Sequence, residues 1–193
     1  MTFYGFARGV VKGIFSPIYR PEVIGLENVP KDGGVLLCGN HISNLDPIFL
    51  GITMNRPIVF IAKEELFKLP IIKGIVKRLN AFPVKRGKGD REALRNGIAA
   101  LKNGNVLGIF PEGTRSKSGE VGKGLAGVGF FALKTDAEVV PCAIIGPYKP
   151  FRKLKVVYGK PINMDYYREN RVSSDEVTTI IMDSIKELIN KYK

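Results

Sequence analysis

The sequence predicts an α/β domain with a mixed, mainly parallel sheet flanked by helices, and three observations carry that prediction. Short apolar runs bounded by Gly, Pro, Asn or Asp alternate with stretches of helical periodicity, the pattern of βα units. The 193 residues are 45% apolar, enough for one ordinary core and too few for two domains. No internal repeat or low-complexity tract interrupts the alternation, which sets aside a solenoid.

The first expected element is a helix over residues 2–16. Wound at about 100° per residue, it gathers Phe3, Tyr4, Phe6, Ala7, Val10, Val11, Ile14 and Phe15 within half its circumference. Its charges are Arg8 and Lys12, with no anion, the pattern of a helix lying flat in a lipid interface. Residues 1–20 are therefore read as an amphipathic membrane-surface helix and 21–193 as the single folded domain. A terminal helix docked on the core needs the same stripe, and Gly5, Gly9 and Gly13 weaken it as a free helix. Strands follow at 34–38, 57–61, 81–84, 106–110, 139–145 and 154–158, with helical stretches near 47–54, 70–79, 90–102 and 124–135. A last helix starts at 174, where Ser173 and Glu176 form a capping box ahead of a stripe made by Val177, Ile180, Ile181, Ile185 and Leu188.

A formal net charge of +12 and a pI near 9.7 point to an anionic partner. Half of that excess lies between Lys63 and Arg91, where nine cations face three carboxylates with apolar residues between them; that mixture suits phospholipid headgroups or a phosphorylated donor. Nucleic acid rests on charge alone, since no zinc spacing or RNA-recognition signature is present, and it is not expected as a partner. No apolar run approaches the ~18 residues of a spanning helix, and residues 1–20 lack the pattern of a secretory signal. Cys38 and Cys142 each sit inside an apolar run and read as buried thiols in a reducing compartment. With one histidine, two distant cysteines and no carboxylate cluster, neither a metal nor another cofactor is expected.

Chemistry concentrates in three places. In Asn40-His41-Ile42-Ser43-Asn44-Leu45-Asp46-Pro47 a buried strand gives way to a turn, and Asp46-Pro47 reads as N-cap and first residue of a helix. Five residues apart, His41 and Asp46 cannot share a helix face but can meet across a turn. A carboxylate on one ring nitrogen would fix the tautomer and leave the other as a general base. The plainer alternative is an Asp46 that only caps its helix beside a satisfied turn histidine. Second, Phe110-Pro111-Glu112-Gly113-Thr114-Arg115-Ser116 follows an apolar strand, where α/β folds place ligands. Gly113 permits close backbone approach, Thr114 and Ser116 offer hydroxyls, Arg115 offers a fork suited to phosphate, and Glu112 could bind a hydroxyl or orient an arginine. Third, Phe82-Pro83-Val84-Lys85-Arg86-Gly87 delivers cations at another strand end. Gly122-Lys123-Gly124-Leu125-Ala126-Gly127 fits G-x-G-x-x-G literally, but lies a dozen residues past its strand and lacks the following acid; it reads as a loop with close helix packing. Cys38, embedded in an apolar strand, reads as a packed thiol rather than a nucleophile.

The three motifs and Val140-Pro141 stand in the order and approximate spacing of the four motifs of the 1-acylglycerol-3-phosphate acyltransferases, a family of the glycerolipid acyltransferases. The sequence resembles that family from about residue 22 to 160, including the stretch from Lys63 to Pro70 between the first two motifs. The resemblance implies transfer of an acyl chain from a thioester, on coenzyme A or acyl carrier protein, to the free hydroxyl of lysophosphatidate, giving phosphatidic acid. It makes 21–193 the acyltransferase domain, His41 the general base and Asp46 its orienting carboxylate. It assigns the acceptor's phosphate to Arg115 and the Lys85–Arg86 pair. Glu112, Gly113 and Thr114 line the acceptor site, Ser43 and Lys63 add substrate contacts, and Pro141 lies toward the acyl side. Adjacent strand residues point to opposite faces, so the choice between Lys85 and Arg86 stays open. Ser43 or Thr114 as an acylated nucleophile lacks a G-x-S-x-G elbow, which favours direct attack by the substrate hydroxyl. Attachment to an anionic membrane surface would be peripheral, at its cytoplasmic face. The alternatives are another glycerolipid acceptor, such as glycerol-3-phosphate, or a phospholipid-binding protein without turnover.

Overall fold

The computed structural model describes residues 3–64, 82–84, 90–116 and 118–193. Helix α1 (Phe3–Tyr19) turns at Arg20 into β1 (Pro21–Ile24), and a 3-10 turn (Leu26–Asn28) leads to β2 (Val35–Gly39). Next come α2 (Asp46–Thr53), β3 (Ile58–Lys63), β4 (Phe82–Val84), α3 (Arg91–Lys102) and β5 (Val106–Ile109). The chain finishes with α4 (Gly127–Lys134), β6 (Glu138–Ile145), β7 (Leu154–Tyr158), a short α5 (Asp165–Glu169) and α6 (Ser174–Tyr192). The helix expected near 70–79 lies outside the described residues.

The strands form one seven-stranded sheet in the order β1-β7-β6-β2-β5-β3-β4. All neighbours are parallel except β6 and β7, so β1 and β7 run against the rest. β2 is buried along its whole length, as its unbroken apolar sequence requires of a central strand. Its side chains alternate: Val35 and Leu37 join the core under α1 and α2, while Leu36 and Cys38 join the core under α3, α4 and α6. Pro141 is tolerated inside β6 because its carbonyl accepts from Gly159 N–H (2.8 Å) beyond the end of β7; its missing N–H therefore faces away from β2. Two helix starts are capped by side chains. Ser173 Oγ accepts from Glu176 N–H (3.2 Å), and Asp90 accepts from Glu92 and Ala93 N–H (3.0 and 3.1 Å).

Two expectations need correction. β1 and α5 are absent from the predicted elements; β1 is a four-residue edge strand, and α5 has a single turn of little periodicity. The apolar arc of α1, expected to face lipid, is divided. Val11, Phe15 and Tyr19 pack against the core beside Phe49, whereas Phe6, Val10 and Ile14 remain 61%, 47% and 55% exposed. α1 is thus both a docked helix and the bearer of an outward apolar stripe. No helix among the described residues is long and apolar enough to cross a membrane.

α4 and α6 meet where Gly129 lies against the first turn of α6. A Cβ there would come within 2.0 Å of Ser174 O and 2.8 Å of Thr178 Oγ1, and the Gly129 N–H donates to that hydroxyl (3.2 Å). Gly129→Ala should therefore destabilise the fold by ~1–3 kcal/mol, lowering the melting temperature by about 2–4 °C per kcal/mol. An unchanged melting curve would show that the helices part without cost.

Candidate active site

β2 and β5 are adjacent, yet the helices that follow them go to opposite faces of the sheet, α2 to one and α4 to the other. That divergence opens a crevice at their carboxyl ends, the usual ligand position in an open α/β sheet. The first motif enters it from β2. Asn40, itself buried, uses its side chain as a substitute strand: Nδ2 donates to Ile144 O (3.0 Å) and Oδ1 accepts from Ile144 N–H (2.7 Å). This ties the start of the turn to β6, so the next residue, His41, leaves the sheet in a fixed direction.

His41 Nδ1 meets Asp46 Oδ2 at 2.7 Å; the imidazole is 17% exposed and the carboxylate fully buried. The same oxygen accepts the backbone N–H groups of Ile42 and Ser43, both at 2.7 Å. Asp46 is not the helix cap its sequence suggests. Leu45 occupies that position, and Asp46, the first helical residue, turns its carboxylate back onto the preceding loop. An ionised acceptor at Nδ1 assigns the ring proton to that nitrogen and leaves Nε2 with a free lone pair. The arrangement favours the paired reading over the capping one.

Tyr148 completes the surroundings of the acid. It lies in the loop after β6, and its hydroxyl donates to Asp46 Oδ1 at 2.5 Å. Burial, then the negative charge of Asp46, pushes the phenol well above its ordinary range, so it remains a donor. Tyr148 in turn packs against Phe49 of α2 and Tyr19 of α1. No spacing in the sequence linked Tyr148 to the first motif, which lies some hundred residues earlier.

The second motif is bonded directly to the first. Glu112, buried at the end of β5, accepts His41 N–H at Oε1 (2.8 Å) and Gly122 N–H at Oε2 (3.1 Å). Ser116 N–H donates to His41 O (2.8 Å). Both backbone groups of His41 are therefore held by the 112–116 turn, which Gly113 closes at φ 64°. Phe110 stacks on the imidazole (4.2 Å between centroids, 18° between planes) and Phe60 of β3 stacks on Phe110 at 6.3 Å. Thr114 and Arg115 are exposed beyond the turn, and Arg115 has no hydrogen-bond or ion-pair partner among the described residues.

Of the remaining candidates, Ser43 uses its hydroxyl to accept from Leu45 N–H (3.2 Å), within the turn. Lys63 ends β3 at the same edge of the sheet. Lys85 and Arg86, following β4, lie outside the described residues, as does most of the cationic stretch between Lys63 and Arg91. Both thiols are fully buried and pushed far above their usual range by desolvation, which removes Cys38 as a nucleophile. The 122–127 glycine stretch is a loop that ends where α4 begins; a Cβ at Gly124 would strike Thr178 and Met182 of α6 at 2.6 and 2.9 Å.

A sequence model of the family described as Acyltransferase matches residues 20–145, a span that holds the His41, Phe82, Phe110 and Val140 motifs. The chain is 31% identical to the 1-acyl-sn-glycerol-3-phosphate acyltransferase of Bacillus subtilis, over 97% of this chain and 98% of that protein. It belongs to the 1-acylglycerol-3-phosphate acyltransferase family. The family likeness extends to the enzyme of that name from Borreliella burgdorferi, 28% identical over 89% of this chain and 72% of the other. The crystal structure of the 1-acyl-sn-glycerophosphate acyltransferase of Thermotoga maritima superposes with a TM-score of 0.76. It is 28% identical and covers 98% of this chain and 78% of that one. This acyltransferase thus shares the family's mostly parallel α/β fold with helices on both sides.

In this acyltransferase Glu112 reaches two backbone donors at once, which requires two acceptor oxygens. Glu112→Gln places an NH2 against one of those N–H groups and should cost ~1.5–3 kcal/mol in stability. The turnover number should fall as the His41 turn loosens. Equal turnover and melting temperature would mean that the stitch between the two motifs does not position the histidine.

Proposed function

We propose that this acyltransferase moves an acyl chain from a thioester to the free hydroxyl of 1-acylglycerol-3-phosphate, yielding phosphatidic acid for phospholipid synthesis. The observation that carries the reading is the joined turn pair. His41, oriented by Asp46, and Arg115, exposed and unpaired among the described residues, sit on loops bonded to each other through Glu112, His41 and Ser116. A candidate base for an alcohol and a candidate cation for a phosphate on joined turns suit an acceptor carrying both groups. The names of the relatives in Bacillus subtilis and Borreliella burgdorferi support the same acceptor.

The proposed chemistry is direct transfer. His41 Nε2 removes the proton from the acceptor hydroxyl as its oxygen attacks the thioester carbonyl. The resulting tetrahedral oxyanion collapses, the carbon–sulfur bond breaks, and the protonated imidazole returns its proton to the departing thiolate. Asp46 stabilises the imidazolium between these steps and stays ionised, held by its remaining donors. Lys85 or Arg86 at the end of β4 extends the phosphate clamp begun by Arg115, with Gly113 and Thr114 beside the acceptor and Ser43 and Lys63 at its margins. The donor is coenzyme A or acyl carrier protein; a basic surface suits either.

We also assign residues 1–20 to the membrane surface and 21–193 to the catalytic domain. The outward stripe of Phe6, Val10 and Ile14 supports this, and exposed Phe151 extends it: its N–H bonds Ile18 O near the end of α1 (2.5 Å). In this reading the attachment is peripheral, at the cytoplasmic face of the membrane.

Two substitutions test the mechanism with lysophosphatidate and a radiolabelled thioester. His41→Ala should lower the turnover number by ~10²–10⁴ with vesicle binding kept. A rate untouched by the substitution removes the base from His41. Arg115→Ala should raise the Michaelis constant for lysophosphatidate about 10- to 100-fold and leave that for the thioester nearly constant. An unaltered acceptor constant places the phosphate elsewhere.

A further inference from the structure

A second concave surface lies between the flank of α1 and β1. It encloses about 590 Å³ and is lined by Arg8, Lys12, Ser16, Arg20, Asn55 and Lys153, with parts of β1 and the end of α2. Arg8, Lys12 and Ser16 are four residues apart and form one row along α1, beside its buried stripe and about 160° around the helix from its outward one. The site is separate from the catalytic crevice. Arg8 Nη2 donates to Ile52 O (3.3 Å) at the last turn of α2, whereas Asp46 is the first residue of that helix; six residues span ~9 Å.

Its charge is unbalanced. Four cations face Glu22, whose carboxylate stands 3.7 Å from Lys153. The side chains of Lys12 and Arg20 have no hydrogen-bond or ion-pair partner among the described residues. More telling are two buried atoms without a hydrogen-bond partner, Arg8 Nε and Ser16 Oγ, both on residues that line the cavity. A buried guanidinium N–H left unsatisfied is costly and rare in a native protein, and a nearby acceptor would relieve it. Arg8 Nε, the Ser16 hydroxyl, and the Lys12 and Arg20 side chains together offer a neutral donor and three cationic ones, a set that matches a tetrahedral phosphate.

We infer that the α1–β1 groove is a phosphate-binding site distinct from the acceptor site. Its ligand class is a phosphate group, free or carried by an anionic lipid headgroup.

The test uses the full chain and reads binding, so it stands apart from the acyl-transfer mechanism and holds even if His41 proves not to be the base. Wild-type protein is compared with Lys12→Gln/Arg20→Gln, and with a control of equal charge change on the opposite layer, Lys102→Gln/Lys134→Gln. The probes are inorganic phosphate against chloride at matched ionic strength, read by melting temperature, and phosphatidylcholine vesicles with and without phosphatidylglycerol, read by cosedimentation. Phosphate should raise the melting temperature of the wild type and the control but not of the groove variant. Affinity for the anionic vesicles should drop roughly 30-fold in the groove variant alone. Loss of the phosphate response with vesicle binding intact assigns the site to soluble phosphate. Retention of both responses by the groove variant, equal losses in the control, or no response in the wild type would each overturn the inference. Ser16→Ala, which alters no charge, should weaken the phosphate response on its own.

Discussion

The buried carboxylate of Asp46 accepts four hydrogen bonds, from the His41 ring, the Ile42 and Ser43 backbones and the Tyr148 hydroxyl. An ionised group removed from water loses several kcal/mol of solvation, and these donors offset that loss only while the loop keeps its shape. The constraint works in both directions. The loop holds the acid, and the acid fixes the loop, the helix start and the tautomer of the one histidine. Asp46 therefore joins α2 to the turn that precedes it, although its sequence position suggested a simple cap.

Around that centre the two motif turns are bonded into one unit. Glu112 spans from His41 to Gly122, so it connects the end of β2, the end of β5 and the loop entering α4. Asn40 adds β6 by imitating a strand residue. Phe110 and Phe60 supply a stacked floor that runs from His41 toward β3. On the other side an aromatic chain of Tyr148, Tyr19 and Phe15 leads from the acid into α1. The helix carrying the outward apolar stripe is thus in packing contact with the residue that donates to Asp46.

Much of this was legible before any coordinates, for a physical reason. Central parallel strands are buried on both faces, so their apolar runs stand out, and β2, β5, β6 and β7 appear within a residue or two of their expected bounds. The motifs were legible because turns and strand ends concentrate unusual residue types. What escaped was whatever depends on contacts distant in the chain. Tyr148 is a tyrosine in an exposed-looking loop until the fold sets it beside Asp46. Glu112 looked like a ligand for a hydroxyl or an arginine, yet both its oxygens meet backbone N–H groups. β1 is short and half-buried at the sheet edge, where alternation over four residues carries little signal. The arc of α1 announced amphipathicity correctly, but periodicity alone cannot say which part of an arc meets protein and which meets another medium.

Cys38 and Cys142 occupy neighbouring central strands, one side chain in the core beneath α3, α4 and α6, the other beneath α1 and α2. Pointing to opposite sides of the sheet, they cannot join as a disulfide without dismantling the strands that carry them. They are also the chain's entire complement of sulfhydryls. A water-borne alkylating reagent therefore meets sulfur only after a layer of helices has lifted. The rates at which the two positions become labelled would time the opening of each side of the molecule separately.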